Sequence, residues 1–280
     1  MKKFWKCLTV LLFFMLSATP VCYGEEGLHA LIQSGDPLVG RAEYVGPIQH
    51  VDENFRILQG GYVNDQYGWF VLINAQNAAV YADTECYVLK YDIHTMEEIA
   101  RSKVLKLCHA NDIAYIPETN ELFVSPCVGP RVFVLDADTL AQKEIKKVPK
   151  VHYGIAYDAI NKRYVIAFDQ AGMLVLDSNA KKILAYSFPI DTTLVTQGIY
   201  CDDQYIYHVL WSTNSNVQEP DNVIIVFDWE CNEVTRIPIG QKGMEPENIS
   251  LVDDVFYISF NQAQVPGEEV LYKFRIERQE

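Results

Sequence analysis

The chain has 280 residues, 49% of them hydrophobic, and carries 37 acidic against 23 basic side chains for a formal net charge of −14. Nucleic-acid binding needs a basic face and adhesion to anionic lipid needs a basic patch, so this balance argues against both. The seven cysteines are too few for a dense disulfide scaffold.

Residues 1–24 read as a secretory signal peptide. Lys2, Lys3 and Lys6 form a basic start, Leu8 to Leu16 an apolar core, and Cys22 and Gly24 supply small residues at the −3 and −1 positions of a cleavage site. The apolar run is too short to span a bilayer, so the sequence predicts an exported, extracytoplasmic protein with no membrane insertion. A lipid anchor on Cys22 is the rival reading, but Val21 stands where such motifs want Gly or Ala. Cleavage leaves 20 basic and 37 acidic residues, a net charge of −17. It also leaves Cys86, Cys108, Cys127, Cys201 and Cys231, an odd number with no CxxC pair and no zinc-like spacing. Residues 25–280 contain no linker-like tract and are expected to form one domain.

Short apolar segments alternate with Asp, Asn and Gly turns along this whole region, the pattern of an all-β protein. The segments repeat. Gln59-Gly60-Gly61-Tyr62 with Asp65-Gln66-Tyr67 matches Gln197-Gly198-Ile199-Tyr200 with Asp203-Gln204-Tyr205 at identical spacing. Asn111-Asp112-Ile113-Ala114-Tyr115 matches Tyr153-Gly154-Ile155-Ala156-Tyr157, and Glu247-Asn248-Ile249 is a weaker fifth copy. The equivalent residues Gln59, Asn111, Tyr153, Gln197 and Glu247 lie 52, 42, 44 and 50 residues apart, which is one four-stranded propeller blade per repeat.

The remaining strands follow in order. Third strands are predicted over 86–92, 131–136, 173–177, 223–228 and 271–276, and four of them end in Asp, which can cap a turn into a fourth strand. Fourth strands follow near Ile99, Glu144, Ile183 and Val234. The fifth blade runs out of chain, so residues 41–51 are expected to supply its outer strand and close the ring, leaving no open edge. The expected fold is therefore a five-bladed β-propeller of four-stranded antiparallel blades. Six blades are the alternative, with residues 25–55 forming one alone. The stretches "HANDIAY", "HYGIAYD", "VLDADTL" and "YDIHTME" resemble the YVTN/NHL-like bacterial propellers, a resemblance that implies the fold and says little about function.

In a propeller the first strand of each blade lines the channel, and its start shares a face with the loops between second and third strands. Gln59, Asn111, Tyr153, Gln197 and Glu247 are thus expected to ring one channel mouth, with His109, His152, Thr196 and Glu245 at its rim. Paired histidines from neighbouring blades can hold a metal. Three long loops, 74–84, 212–222 and 261–268, fall on that face in blades one, four and five and are expected to wall one side of the mouth. Trp69 and Trp211 read as packing between blades.

Gln59, His109, Asn111, His152, Tyr153, Gln197, Glu245 and Glu247 are expected to bind a ligand, and no catalytic motif such as G-x-S-x-G or H-E-x-x-H accompanies them. The expected function is non-enzymatic binding of a small molecule or a protein at the mouth, with no cofactor required. The alternatives are enzymes using the same mouth. Asn111-Asp112 with Glu245 or Glu247 is similar to the metal set of gluconolactonase-type propellers, in which a divalent cation polarises a carbonyl. "LVTQGIYCDD" resembles a segment of the five-bladed glutaminyl cyclases. Oligomeric state is left open.

Overall fold

One turn device recurs along the chain. Asn64 Oδ1 accepts the N–H groups of Gln66 and Tyr67, and Asp202 Oδ1 those of Gln204 and Tyr205. A short side-chain oxygen that caps the next two or three N–H groups fixes a tight reversal, which is why the Asp-Gln-Tyr signature repeats. Asp92 and Asp136 do the same at the ends of third strands, each accepting two N–H groups from its own turn.

The computed structural model describes residues 26–168, 172–187, 194–212, 222–241, 243–261 and 269–280. The signal-peptide reading and Cys22 lie outside the described residues. The capped turns link strands into five antiparallel sheets. Blade one is Phe55–Val63, Tyr67–Asn74, Glu85–Asp92 and Glu98–Arg101, with Leu105–Lys106 added beside the third strand. Blade two is Asp112–Ile116, Glu121–Ser125, Arg131–Asp136 and Gln142–Lys147. Blade three is Gly154–Asp158, Arg163–Phe168, Gly172–Leu176 and Lys182–Ser187. Blade four is Leu194–Cys201, Ile206–Ser212, Asn222–Phe227 and Glu233–Gly240.

Blade five is built from both ends of the chain. Glu245–Pro246 and Ser250–Val252 form its broken inner strand, followed by Val255–Asn261 and Glu269–Arg278. Leu38–Ile48 completes it, pairing antiparallel with Glu269–Arg278 from Leu38↔Arg278 to Ile48↔Glu269. The closing strand begins three residues earlier than the sequence suggests, and the ring has five blades rather than six.

Side chains facing between blades form five buried clusters, one for each junction of the ring. Trp69 lies in the cluster between blades one and two. It stacks on Tyr115 at 5.1 Å and donates Nε1–H to the Ala137 carbonyl at 2.9 Å, so it is an inter-blade anchor, as expected. The short helix Leu28–Ser34 buries Leu28, Leu31 and Ile32 in the junction of blades four and five. Among the described residues no helix is long and apolar enough to cross a membrane. All five cysteines in these residues are free thiols, and Cys86, Cys108 and Cys201 are buried.

Candidate functional site

The inner strand of each blade breaks or begins at its marker residue. Pairing slips between Leu58 and Gly61 in blade one and between Thr196 and Ile199 in blade four. In blade five Glu247 falls in the gap between the two pieces of the inner strand, and its N–H still reaches the Ser259 carbonyl at 2.8 Å. Blades two and three begin their inner strands just after Asn111 and Tyr153.

The position after each marker sets the bore of the channel. Glycine stands there in three blades: at Gly60 and Gly198 backbones meet, and at Gly154 an Ile199 methyl fills the space. A Cβ on Gly60 would lie 2.7 Å from the Asp112 backbone, and one on Gly198 2.5 Å from Asn248 Cα. Asp112 and Asn248 occupy the same position in the other blades and fill the axis. Asp112 Oδ2 accepts the N–H groups of Ile155 at 3.0 Å and Ile199 at 3.3 Å, and Oδ1 accepts the Ile113 N–H. Asn248 Oδ1 accepts both the N–H and the hydroxyl of Ser259. Burial pushes the Asp112 carboxyl above its usual range, against the opposing pull of its three N–H donors.

This arrangement bears on the metal expectation. Both Asp112 oxygens already accept backbone N–H groups, so Asp112 does not fit a metal-ligand role beside Asn111. Among the described residues no three His, Cys, Asp or Glu side chains are grouped to hold a metal ion.

Blades three to five contribute a continuous arc of polar groups. The Tyr153 ring lies parallel to that of His208, with centroids 6.3 Å apart, and His208 hydrogen-bonds the Gln197 backbone. Gln197 Nε2 donates to Glu245 Oε1 at 2.6 Å. Glu245 sits directly across the ladder from Asn261, whose side chain hydrogen-bonds Glu247. Glu247 is 2% exposed, and its Oε1 has no hydrogen-bond partner among the described residues. Burial holds the Glu247 carboxyl well above the usual carboxylate range, and the neighbouring Glu245, Glu269 and Asp112 carboxylates add to the rise. Burial raises Glu245 as well, opposed by the Gln197 amide. His50 Nε2 stands 3.6 Å from Glu269 Oε1 and extends the arc toward blade one.

The other side of the mouth is built differently. Cys108, His109 and Ala110 all have positive φ, at 55°, 63° and 37°. Three consecutive side-chain-bearing residues in this region are strained, by roughly 1–2 kcal/mol each, and such strain gathers at functional sites. The turn lays the His109 ring on Tyr81 of the long blade-one loop, centroids 4.3 Å apart, and His109 hydrogen-bonds the Ala78 backbone. The loop is thereby fixed to blade two.

The expected residues thus divide. Tyr153, Gln197, Glu245 and Glu247 come together in one arc. Gln59 Nε2 donates to the Leu58 carbonyl at 3.0 Å and is not linked to this arc among the described residues. Asn111 holds the start of blade two through its own N–H, which reaches Ser125. His109 and His152 do not form a pair: His109 turns to Tyr81, while His152 Nδ1 lies 3.1 Å from the Lys150 carbonyl and the residue is 1% exposed rather than on the rim. Burial lowers His109, His152 and His208 to about 4, leaving all three neutral at neutral pH. Of the three wall loops, 74–84 is described and carries a single helical turn at Tyr81–Asp83, whereas 213–221 and 262–268 lie outside the described residues. Sequence reasoning missed His208, Asn261 and Glu269. The only signal for His208 was a lone polar residue inside an apolar second strand.

No sequence family matches the chain, and no curated protein is similar to it in sequence. Several solved structures share its fold. A glutaminyl cyclase from Myxococcus xanthus is 11% identical with a TM-score of 0.61, the match covering 88% of this chain and 100% of that one. A member of the DUF4221 family from Bacteroides vulgatus is also 11% identical, with a TM-score of 0.50 and coverage of 88% and 100%. A luciferin-regenerating enzyme is 10% identical with a TM-score of 0.50, covering 84% of this chain and 95% of that one. At these identities the likeness is one of fold, and the resemblance to YVTN/NHL-like propellers holds at that level too.

Proposed function

We propose that this chain is an extracytoplasmic propeller that binds a small, uncharged polar molecule on the arc from Tyr153 to Glu247, without turning it over. The observation that carries the reading is Glu247: a buried carboxyl with one oxygen unpartnered among the described residues. A buried polar atom left unsatisfied costs about 1–3 kcal/mol, and a ligand that supplies the missing partner recovers it. The lining favours a neutral ligand. His208 is neutral, the Glu247 carboxyl is held toward its protonated form, and Gln197 and Asn261 offer amides. Hydroxyl and amide groups match such a surface. Export follows the signal-peptide reading of residues 1–24.

A second reading is an enzyme similar to the glutaminyl cyclases. It is favoured by Thr196-Gln197-Gly198 lying at the pairing slip of blade four, with Gln197 bonded to a carboxyl of raised proton affinity. Such a carboxyl can exchange a proton with a reacting group. Calorimetry against a panel of neutral sugars, amides and glutaminyl peptides tests both readings, with ammonia release from the peptides followed in parallel. Binding without release, abolished by Glu247→Gln, is expected. Catalysed ammonia release replaces the first reading with the second, and failure of every panel member to bind overturns both.

A further inference from the structure

The side wall between blades two and three holds a groove of about 300 Å³ that shares no residue with the mouth arc. Its floor is apolar. Val132 from blade two and Ile155, Ile166 and Leu176 from blade three form the buried core behind it, and the partly buried Val148, Tyr164 and Ala180 line the space itself. Phe123 and Tyr164, stacked with centroids 5.6 Å apart and 5° between planes, form one wall. Lys146 and Lys147 stand on the rim, facing the turn at Ser178.

The charge of this region is opposite to that of the chain. Residues 142–182 hold eight basic and four acidic side chains in a chain of net charge −14. The acids that surround the groove are engaged: Asp158 with Arg163 at 2.8 Å, Asp177 with the N–H groups of Asn179 and Lys181, Glu144 with Lys146 at 3.2 Å, Glu121 with Lys143 at 2.6 Å, and Glu118 with the Tyr157 hydroxyl at 3.1 Å. Lys146 also lies over the Phe123 ring at 4.6 Å, while Lys147 is exposed and has no acidic partner among the described residues. Lysines on outer strands discourage sheet-to-sheet pairing, and that role accounts for a basic edge. It does not account for an apolar groove beneath the edge.

We propose that this groove binds a small anionic amphiphile, with its apolar body against the partly exposed Val148, Tyr164 and Ala180 and its carboxylate or sulfate head at Lys146 and Lys147. The volume sits at the lower end of small-molecule sites, roughly 300–1,000 Å³. A protein partner would need about 800 Å² of matching surface, far more than the groove offers.

Calorimetry at low ionic strength tests the assignment with decanoate, decanol and decyltrimethylammonium, each below its micelle concentration. Decanoate should bind at one site, and decyltrimethylammonium at least tenfold more weakly. The double variant Lys146→Glu/Lys147→Glu should weaken decanoate at least tenfold. Ser178→Trp, which narrows the opening from an exposed turn without touching the floor, should do the same. Glu247→Gln should leave decanoate binding unchanged. Absence of decanoate binding to the unaltered chain, equal binding of the cationic amphiphile, or indifference to both sets of variants would overturn the proposal.

Discussion

Asp112 and Ile199 are 87 residues apart and belong to blades two and four, yet Asp112 Oδ2 accepts the Ile199 N–H at 3.3 Å across the channel axis. The same oxygen accepts the Ile155 N–H of the intervening blade. One carboxylate therefore ties three of the five inner strands together, and the channel is closed at this level rather than open.

Replacement of Asp112 by Asn should be costly although the shape barely changes. The amide keeps one acceptor oxygen and turns an NH2 toward an N–H that had an acceptor. A buried donor left unsatisfied, plus the lost charge-assisted bonds, predicts a loss of about 2–4 kcal/mol. A urea unfolding midpoint that moves by less than the equivalent of 1 kcal/mol would show that the axis relaxes around the amide.

The glycines beside it predict a second loss. Gly60→Ala and Gly198→Ala place a methyl against backbone of the next blade, and backbone cannot rotate away as a side chain can. Overpacking of this kind typically costs about 1–3 kcal/mol, and these positions belong at the upper end. Gly40→Ala, whose new Cβ meets an Ile239 methyl at 3.0 Å, should lose distinctly less in the same thermal-unfolding series.

These positions show what the sequence makes legible. The repeat is readable because Asn64 and Asp202 must cap equivalent turns, so the same residue types return at the same spacing. The blade count and the closing strand follow from that period. Asp112 was visible only as one member of a repeat, since nothing local says that its partners are Ile155 and Ile199. His208 and Asn261 escaped for a related reason. They lie in second strands, and only the slip at Thr196–Ile199 and the pairing Glu245↔Asn261 bring them beside Gln197 and Glu247. The groove between blades two and three depends on two strands of different repeats and has no signature within either.

Glu247 should make stability fall as pH rises. Its native carboxyl binds a proton more tightly than the unfolded chain does. The native state is then favoured below the ordinary carboxylate range, and that advantage is lost as pH rises through the native value. Glu247→Gln removes the titration. The variant and the parent should melt together near pH 4, and the variant should melt higher at pH 8. A difference in melting temperature that does not change with pH would mean that Glu247 is charged in the native state.

His152 works in the opposite direction. Its native value of about 4 lies below the ordinary 6.5, so the unfolded chain takes up the proton first as pH falls. The stability that neutral His152 contributes is complete above pH 6.5 and is lost between 6.5 and about 4. A shift of this size corresponds to about 3 kcal/mol at most for a residue this deeply buried. Acid also protonates carboxylates, but that loss is common to the parent and to a His152→Gln variant. The difference between their unfolding free energies, measured from pH 7.5 to 4, isolates the histidine. His152→Gln should be the less stable protein at pH 7.5, where it lacks the native imidazole packing, and should close the gap as the pH approaches 4. Parallel curves would place the imidazole in contact with water, at odds with its burial beside the Lys150 carbonyl.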